Sequence, residues 1–146
     1  MKTYFSIFIL ILISCSVFAA EKTNLSDSEI SGLLIGKWLI TLSNNNNNTK
    51  LVAVDEYLPN GKARQKGILT VSNQHMNIKM ESTWKVENGE LISSLVSITP
   101  KGMMPVGLTT TDTVISIDKE KFILRDGKTG ELQTYYRVGG KAGKEI

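Results

Sequence analysis

The chain has 146 residues, of which 41% are hydrophobic and 21% charged, with 17 Lys and Arg against 14 Asp and Glu. This balance excludes a disordered or collagen-like chain and suits one globular domain with a single core. Basic and acidic residues are interspersed, as between Asp118 and Lys121, and no basic stripe stands out. We therefore expect no nucleic-acid partner, although the net charge is +3.

The first residues predict a signal peptide. Lys2 supplies a positive start, residues 5–13 are almost entirely apolar, and Val17-Phe18-Ala19 places small residues where a signal peptidase reads. Residues 1–19 are predicted to be removed, so that the mature chain is exported to the periplasm or secreted. The apolar stretch is short for a membrane span, and no stable membrane span is expected.

A second interpretation of the leader stays open. Leu12-Ile13-Ser14-Cys15 resembles the lipobox of bacterial lipoproteins, in which the cysteine becomes the lipid-modified first residue. Cleavage after Ala19 instead removes Cys15, the one cysteine of the chain, and leaves no disulfide. An exported domain without disulfides depends on its core and its hydrogen bonds, which favours a closed β structure.

Two kinds of periodicity follow along the chain. Residues 21–35 predict a short helix, which Ser26 or Asp27 can cap and whose apolar residues Ile30, Leu33 and Leu34 share one side. After Gly36, β-branched and aromatic residues alternate with polar ones. These runs predict strands near residues 37–42, 50–58, 63–72, 75–86, 91–98, 110–117, 121–125 and 131–138.

The segments between the strands contain the residues of tight turns, such as Asn88-Gly89 and Asp126 to Gly130. Sequential antiparallel strands have to eliminate their edges, and closure does so most completely. The predicted fold is therefore all-β: an eight-stranded antiparallel up-and-down barrel, preceded by a short helix. It spans residues 20–138, and residues 139–146 are predicted to form a flexible tail.

Two segments interrupt the strand pattern. Asn44 to Asn48 is a polar tract that predicts a mobile loop. Pro100 to Leu108 is apolar but carries two prolines, so it either covers the mouth of the barrel or simply connects two strands. Of these two interpretations we favour the plain connection.

A short helix followed by Gly36-Lys37-Trp38 opens the predicted barrel, and Arg137 lies in its last predicted strand. The helix and the tripeptide are similar to the G-x-W motif of the lipocalins, and above all of the small bacterial lipocalin-like domains, which also carry an arginine in the last strand. Thr111-Asp112 is similar to a pair that they carry in a late turn. The resemblance implies that Trp38 closes one end of the barrel and that Arg137 packs across it. Physical chemistry agrees, because a guanidinium covers an indole face through a cation–π contact. In the alternative interpretation, Arg137 binds a carboxylate inside a pocket.

Strand parity in residues 75–86 separates two faces. The apolar side chains Met76, Ile78, Met80 and Trp84 fall on one face, broken only by Ser82, and polar side chains take the other. The apolar face is the core face. Met76, Met80 and Trp84 are therefore our candidates for contact with a ligand inside the barrel.

Catalytic chemistry finds little support. The single imidazole, His75, is predicted to point away from the core, and the sequence contains neither a nucleophile elbow nor a Walker loop. Asp55 and Glu56 are adjacent carboxylates, but neighbouring strand residues face opposite sides and cannot share a substrate. We expect no catalytic residues.

A metal site is the other chemistry that the composition suggests. His75 and four methionines (Met76, Met80, Met103 and Met104) would suit Cu(I), but His75 and Met76 alternate to opposite faces. We expect no metal and no cofactor.

Two functions remain. The chain is either an exported lipocalin-like protein that binds a small apolar ligand in its barrel, or an exported structural or protein-interaction module whose barrel is filled by its own side chains.

Overall fold

The strands form a closed barrel in which each pairs with the next and the last returns to the first. The computed structural model describes residues 21–140. Its elements are α1 (Asp27–Leu34), β1 (Gly36–Asn44), a 3₁₀ turn (Asn45–Asn47), β2 (Thr49–Tyr57), β3 (Lys62–Val71), β4 (Gln74–Glu87), β5 (Glu90–Thr99), β6 (Thr109–Ile117), β7 (Lys121–Arg125) and β8 (Leu132–Arg137). All pairs are antiparallel, so the predicted fold class is confirmed.

Several predicted features belong to residues outside the described range. The signal peptide at residues 1–19, the alternative lipid attachment at Cys15, and residues 141–146 of the predicted tail all lie there. Gly139 and Gly140, the first residues of that tail, follow β8 in a turn and a bend.

Helix α1 begins with a capping box. The Ser26 hydroxyl accepts a hydrogen bond from the Glu29 amide at 3.3 Å, and the Glu29 carboxylate accepts one from the Ser26 amide at 2.8 Å. Ile30 and Leu34 are fully buried, because they share the side of the helix that faces the barrel. Ser26 is thus the cap, one of the two residues that the sequence allowed.

The end of the barrel that α1 covers is packed with aromatic rings. Trp38 and Phe122 are both fully buried and meet edge to face with their centroids 4.7 Å apart. Phe122 also stacks on Tyr135 at 4.2 Å. The Trp38 indole N–H donates a hydrogen bond of 2.7 Å to the Leu34 carbonyl, so the polar group of this buried ring has a partner.

A second apolar cluster lies toward the opposite end. Ile78, Leu95 and Ile98 form it, and Met104 and Leu108 from the β5–β6 connection pack against it. Residues 100–108 therefore contribute to the packing at this end, contrary to the plain connection that we favoured. The prolines remove backbone donors, which prevents a strand here, while the apolar side chains still gain from burial.

The seam between β1 and β8 is short. Only Trp38–Ile40 pair with Tyr135–Arg137, although β1 continues to Asn44 and β8 begins at Leu132. The two strands separate beyond Ile40 and Tyr135, whereas at the other end of the seam the Val138 amide donates a hydrogen bond of 3.0 Å to the Lys37 carbonyl.

The remaining differences from prediction are local. Strand β1 runs on to Asn44, and the asparagine tract is a 3₁₀ turn that ends at Asn48, whose φ is +48°. Thr111 and Asp112 lie inside β6 and pair with β5, so the turn implied for this pair by the lipocalin resemblance is wrong.

Candidate functional site

The predicted contact between Arg137 and Trp38 is confirmed. The guanidinium carbon lies 3.9 Å from the centroid of the indole, and the two residues are direct partners across the seam. Arg137 also donates hydrogen bonds to the carbonyls of Leu33 and Ile35, each at 2.7 Å, and to that of Lys119 at 3.1 Å. These carbonyls use the donors that a pocket arginine would need, so Arg137 acts as a structural residue rather than a carboxylate site.

Gly36 completes this motif for a steric reason. Its φ is +128°, and a side chain at this position would overlap the Arg137 guanidinium. Only glycine combines this backbone conformation with room for the arginine. The position of Arg137 therefore explains both residues of the pattern, because its guanidinium covers the Trp38 ring and occupies the space beside Gly36.

The interior contains a cavity of about 150 Å³ between the two packed ends. Alternating residues of β2, β3, β5 and β6 face it, as the pleat requires. Its lining residues are Asp55, Tyr57, Ala63, Arg64, Gln65, Met80, Ser82, Leu91, Ser93, Thr110, Asp112, Leu124 and Tyr135. Apolar and hydrogen-bonding groups thus share the wall.

Asp55 is the buried charged residue of the core, with 8% of its surface exposed. Gln65 donates a hydrogen bond of 2.6 Å to Oδ1 of Asp55 from the neighbouring strand. Burial disfavours the carboxylate and raises the pKa of Asp55 from 3.8 to about 6, although the Gln65 hydrogen bond acts in the opposite direction.

A second carboxylate and two phenols also line the wall, from β6, β2 and β8. Asp112 is half buried, its Oδ1 accepts a hydrogen bond of 3.0 Å from the Gly127 amide, and burial raises its pKa. Tyr57 and Tyr135 are buried, which raises the pKa of both phenols. The Tyr135 hydroxyl donates to Gln133 at 3.3 Å.

The structure places the three predicted ligand residues in three different environments. Met80 lines the cavity. Trp84 is buried behind Tyr57 with ring centroids 5.5 Å apart, and its indole nitrogen donates to the carbonyls of Leu58 and Lys62 at 3.2 and 3.0 Å. Met76 is 42% exposed near the start of β4, so its predicted core position is wrong. Parity gives its face correctly, but the barrel interior ends before this residue.

The carboxylates and tyrosines of the wall are not among the predicted ligand residues. A signal existed, because Asp55 and Tyr57 share strand parity with the apolar Ala53, which places a charge on a core face. Asp112 likewise shares strand parity with the buried Val114 on β6. The prediction that Asp55 and Glu56 face opposite sides is confirmed: Glu56 lies 3.8 Å from the ammonium of Lys37, and its side chain is 30% exposed.

An opening lies beside the seam. Where β1 and β8 separate, an open space of about 460 Å³ is bordered by Leu42, Leu51, Leu132 and Gln133, among others. Gln133 borders this space and bonds to Tyr135, which lines the cavity.

His75 lies on the outer surface, where Nδ1 is 2.9 Å from the Thr70 hydroxyl. Within residues 21–140, no three His, Cys, Asp or Glu side chains come together as a metal site. None of the helices in the described part of the chain is long and apolar enough to cross a membrane.

No protein-family model matches the chain, and no curated protein matches it. Among solved structures, it is similar to a de novo designed fluorescence-activating β-barrel, with 11% sequence identity and a TM-score of 0.48 over 77% of this chain and 99% of that one.

Proposed function

We propose that this chain is an exported lipocalin-like protein that binds one small ligand inside its barrel. The observation that carries the proposal is the cavity between the two packed ends, where hydrogen-bonding groups converge within an otherwise apolar core. The contact between Trp38 and Arg137 supports the lipocalin-like assignment, because it is the packing that the resemblance implies. Export rests on the signal peptide that the sequence predicts.

The size of the cavity limits the ligand. A protein cavity of about 150 Å³ accommodates a molecule of about the size of benzene. Met80, Leu91 and Leu124 offer apolar contact, while Asp55 and Tyr57 offer hydrogen bonds. The ligand we propose therefore has a compact apolar body with one polar group, whereas the long chain of a fatty acid exceeds the cavity.

The role we propose is binding, without catalysis. His75 is the imidazole that a nucleophilic mechanism would use as its base, and it lies on the outer surface, bonded to Thr70.

The second candidate is a protein-interaction module, and one observation favours it. The outer face of β1 to β4 carries a groove of about 580 Å³ that is lined by Leu39, Val52, Val54 and the half-exposed Ile68, among others. Apolar surface of this kind marks interaction sites on soluble proteins. A partner bound there would leave the interior cavity unused.

Filling the cavity discriminates between the two functions. Ser93 lines the cavity, whereas Ser97 is exposed on the same strand. Small aromatic compounds, fatty acids and a hydrophobic dye are titrated into the full chain, with Tm and tryptophan emission as readouts. Binding that Ser93→Leu abolishes and Ser97→Leu preserves supports the intrabarrel site. Binding that survives Ser93→Leu contradicts it and directs attention to the outer groove.

Export is tested separately by sequencing the protein from its own host. A mature chain that begins at Ala20 in a soluble envelope or secreted fraction is expected. A first residue of lipid-modified Cys15 would establish the lipoprotein alternative instead, and an intact Met1 in the cytoplasm would contradict both.

A further inference from the structure

We propose that the ligand held in the barrel cavity is a small organic cation, a primary ammonium group on a compact apolar body. This inference rests on the proposed intrabarrel binding and adds the charge of the ligand. It follows from the hydrogen-bonding groups that the cavity presents and from their partners in the described part of the chain.

The wall offers more acceptors than donors. Two carboxylates, Asp55 and Asp112, line the cavity, and an ionised carboxylate accepts hydrogen bonds but donates none. One N–H of the Gln65 amide donates to Oδ1 of Asp55. Oδ2 of Asp55 has no hydrogen bond within residues 21–140. A ligand that complements this wall brings donors, and an ammonium brings three together with a positive charge.

No basic side chain of the described chain faces these carboxylates. Arg64 is the one basic residue that borders the cavity, and it is exposed. In the strand register it lies opposite Glu56 on one neighbouring strand and Glu81 on the other, which places it on the outer face of the barrel. The negative charge inside the barrel therefore has no counter-ion among residues 21–140, although buried charges in proteins are ordinarily paired.

Tyr57 provides an independent observation. Only 6% of its surface is exposed, and its hydroxyl makes no hydrogen bond within residues 21–140. Every fully enclosed polar side-chain atom of these residues has a partner, so the Tyr57 hydroxyl is not sealed in protein and faces the cavity that Tyr57 lines. An unpartnered buried hydroxyl of this kind is a vacant position for a ligand group.

Three compounds of nearly equal shape test the charge directly. Benzylamine is a cation near neutral pH, benzyl alcohol is neutral and benzoate is an anion. Each is titrated calorimetrically into the full, unaltered chain. We expect benzylammonium to bind about 10- to 100-fold more tightly than benzyl alcohol, as hydrogen bonds to charged groups imply, and benzoate to bind least.

The matched variants are Asp55→Asn and Glu56→Gln. Each removes one negative charge, and the two positions are adjacent, but Asp55 lines the cavity while Glu56 lies opposite Arg64 on the outer face. Asparagine retains the acceptor for Gln65. Asp55→Asn is expected to weaken benzylammonium at least about tenfold and to leave benzyl alcohol within about twofold, whereas Glu56→Gln changes neither.

Each outcome has a defined meaning. If benzyl alcohol or benzoate binds as well as benzylammonium, the charge inference is overturned while intrabarrel binding stands. If only a dye or a fatty acid binds, and Ser93→Leu abolishes that binding, the charge inference is likewise overturned and intrabarrel binding stands. If nothing binds, the cavity holds water only and both proposals are overturned. The comparison of the three compounds with the unaltered chain needs no variant to fold.

Discussion

Arg137 is one side chain that joins three segments of the chain. It covers Trp38 on β1, bonds the carbonyls at the end of α1, and reaches Lys119 in the β6–β7 turn. Carbonyls at the end of a helix have no partner within the helix and carry partial negative charge, so a guanidinium both satisfies and complements them. Arg137 thus stabilises both the seam of the barrel and the end of α1.

Replacing Arg137 with Ala is expected to lower the free energy of unfolding by about 2 to 4 kcal/mol, because it removes charged hydrogen bonds, a cation–π contact and the packing of the arginine stem. Arg137→Lys should recover only part of this loss, since an ammonium lacks the planar, forked group. Denaturant titration monitored by tryptophan emission measures both values.

A double-mutant cycle isolates the ring contact itself. Trp38→Phe and Arg137→Ala, singly and together, should show a coupling of at least about 0.5 kcal/mol. Additive losses would contradict a direct energetic interaction between the two side chains.

We expect Asp55 to make the free energy of unfolding decrease as the pH rises. Its folded pKa of about 6 lies above the ordinary value of 3.8, so the folded state binds the proton more tightly. Stability from this group is fully present below about pH 4 and is lost as the pH rises through 6. The difference corresponds to about 3 kcal/mol.

We therefore expect Asp55→Asn to be more stable than the unaltered chain by up to about 3 kcal/mol at neutral pH, and nearly equal to it at pH 4. Urea titrations across this range provide the measurement. Glu56→Gln is the control, because Glu56 is only partly buried and pairs with Lys37 on the outer face. An Asp55→Asn advantage that does not change with pH would show that burial of the charge is not its cause.

At the scale of elements, α1 is attached to the barrel at both of its ends. Arg137 holds the last carbonyls, and at the first turn the Asp27 carboxylate accepts hydrogen bonds from the amides of Asn88 and Gly89 at 2.8 and 2.7 Å. Gly89 has a φ of +68° in this turn, a conformation that suits glycine. The helix is thereby fixed across the end of the barrel that contains Trp38.

Asp27→Ala is expected to cost about 1 to 3 kcal/mol, because two backbone amides of the β4–β5 turn lose a charged partner. Ser28→Ala, at the next, exposed position, should change stability by less than about 0.5 kcal/mol. Thermal unfolding of the two variants gives the comparison, and equal effects would contradict a specific tether.

The open part of the seam should exchange its amide hydrogens first. Thr41–Asn44 have no partner on β8, whereas Trp38–Ile40 pair with it. Native-state hydrogen exchange is expected to show faster exchange at residues 41–44 than at residues 38–40. Equal protection along β1 would indicate that β8 pairs along its whole length in solution.

Sequence patterning predicts the elements well and the interior incompletely. Alternation identifies all eight strands, since each has one face in the core and one outside. It does not show that β4 and β5 are out of simple register between Glu81 and Ser82, because a bulge depends on the partner strand. The same limit applies to Met76, where parity gives the face of a residue but not the depth at which the core ends.

The candidate site is less accessible to sequence patterning than the fold for a related reason. Gly36 and Trp38 are recognisable because one short pattern carries them, and Arg137 is recognisable from its place in the last predicted strand. Asp55 and Asp112 meet across the cavity from β2 and β6, and no local pattern connects strands that are not neighbours in the sheet. Their parity marks them as unusual core residues, but their convergence depends on barrel closure.

At the scale of the whole molecule, closure is the strand pairing of longest sequence separation. Most strand pairs join consecutive hairpins, whereas Trp38 meets Arg137 across nearly the whole described chain. Long loops close late in folding, because their entropy is lost before many contacts form. We therefore expect Arg137→Ala to accelerate unfolding and to leave the folding rate within about twofold. Stopped-flow refolding and unfolding measure the two rates, and a slowed folding limb would place the seam in the folding nucleus.

The short seam also bears on synthesis. As the chain emerges from a ribosome, β1 comes first and its partner β8 about a hundred residues later, so one side of β1 stays unpaired while the six strands between them are made. A chain interrupted before β8 would not be a slightly smaller barrel. It would be an open sheet with two free edges, and Trp38, on one of these edge strands, would be left without the arginine that covers it.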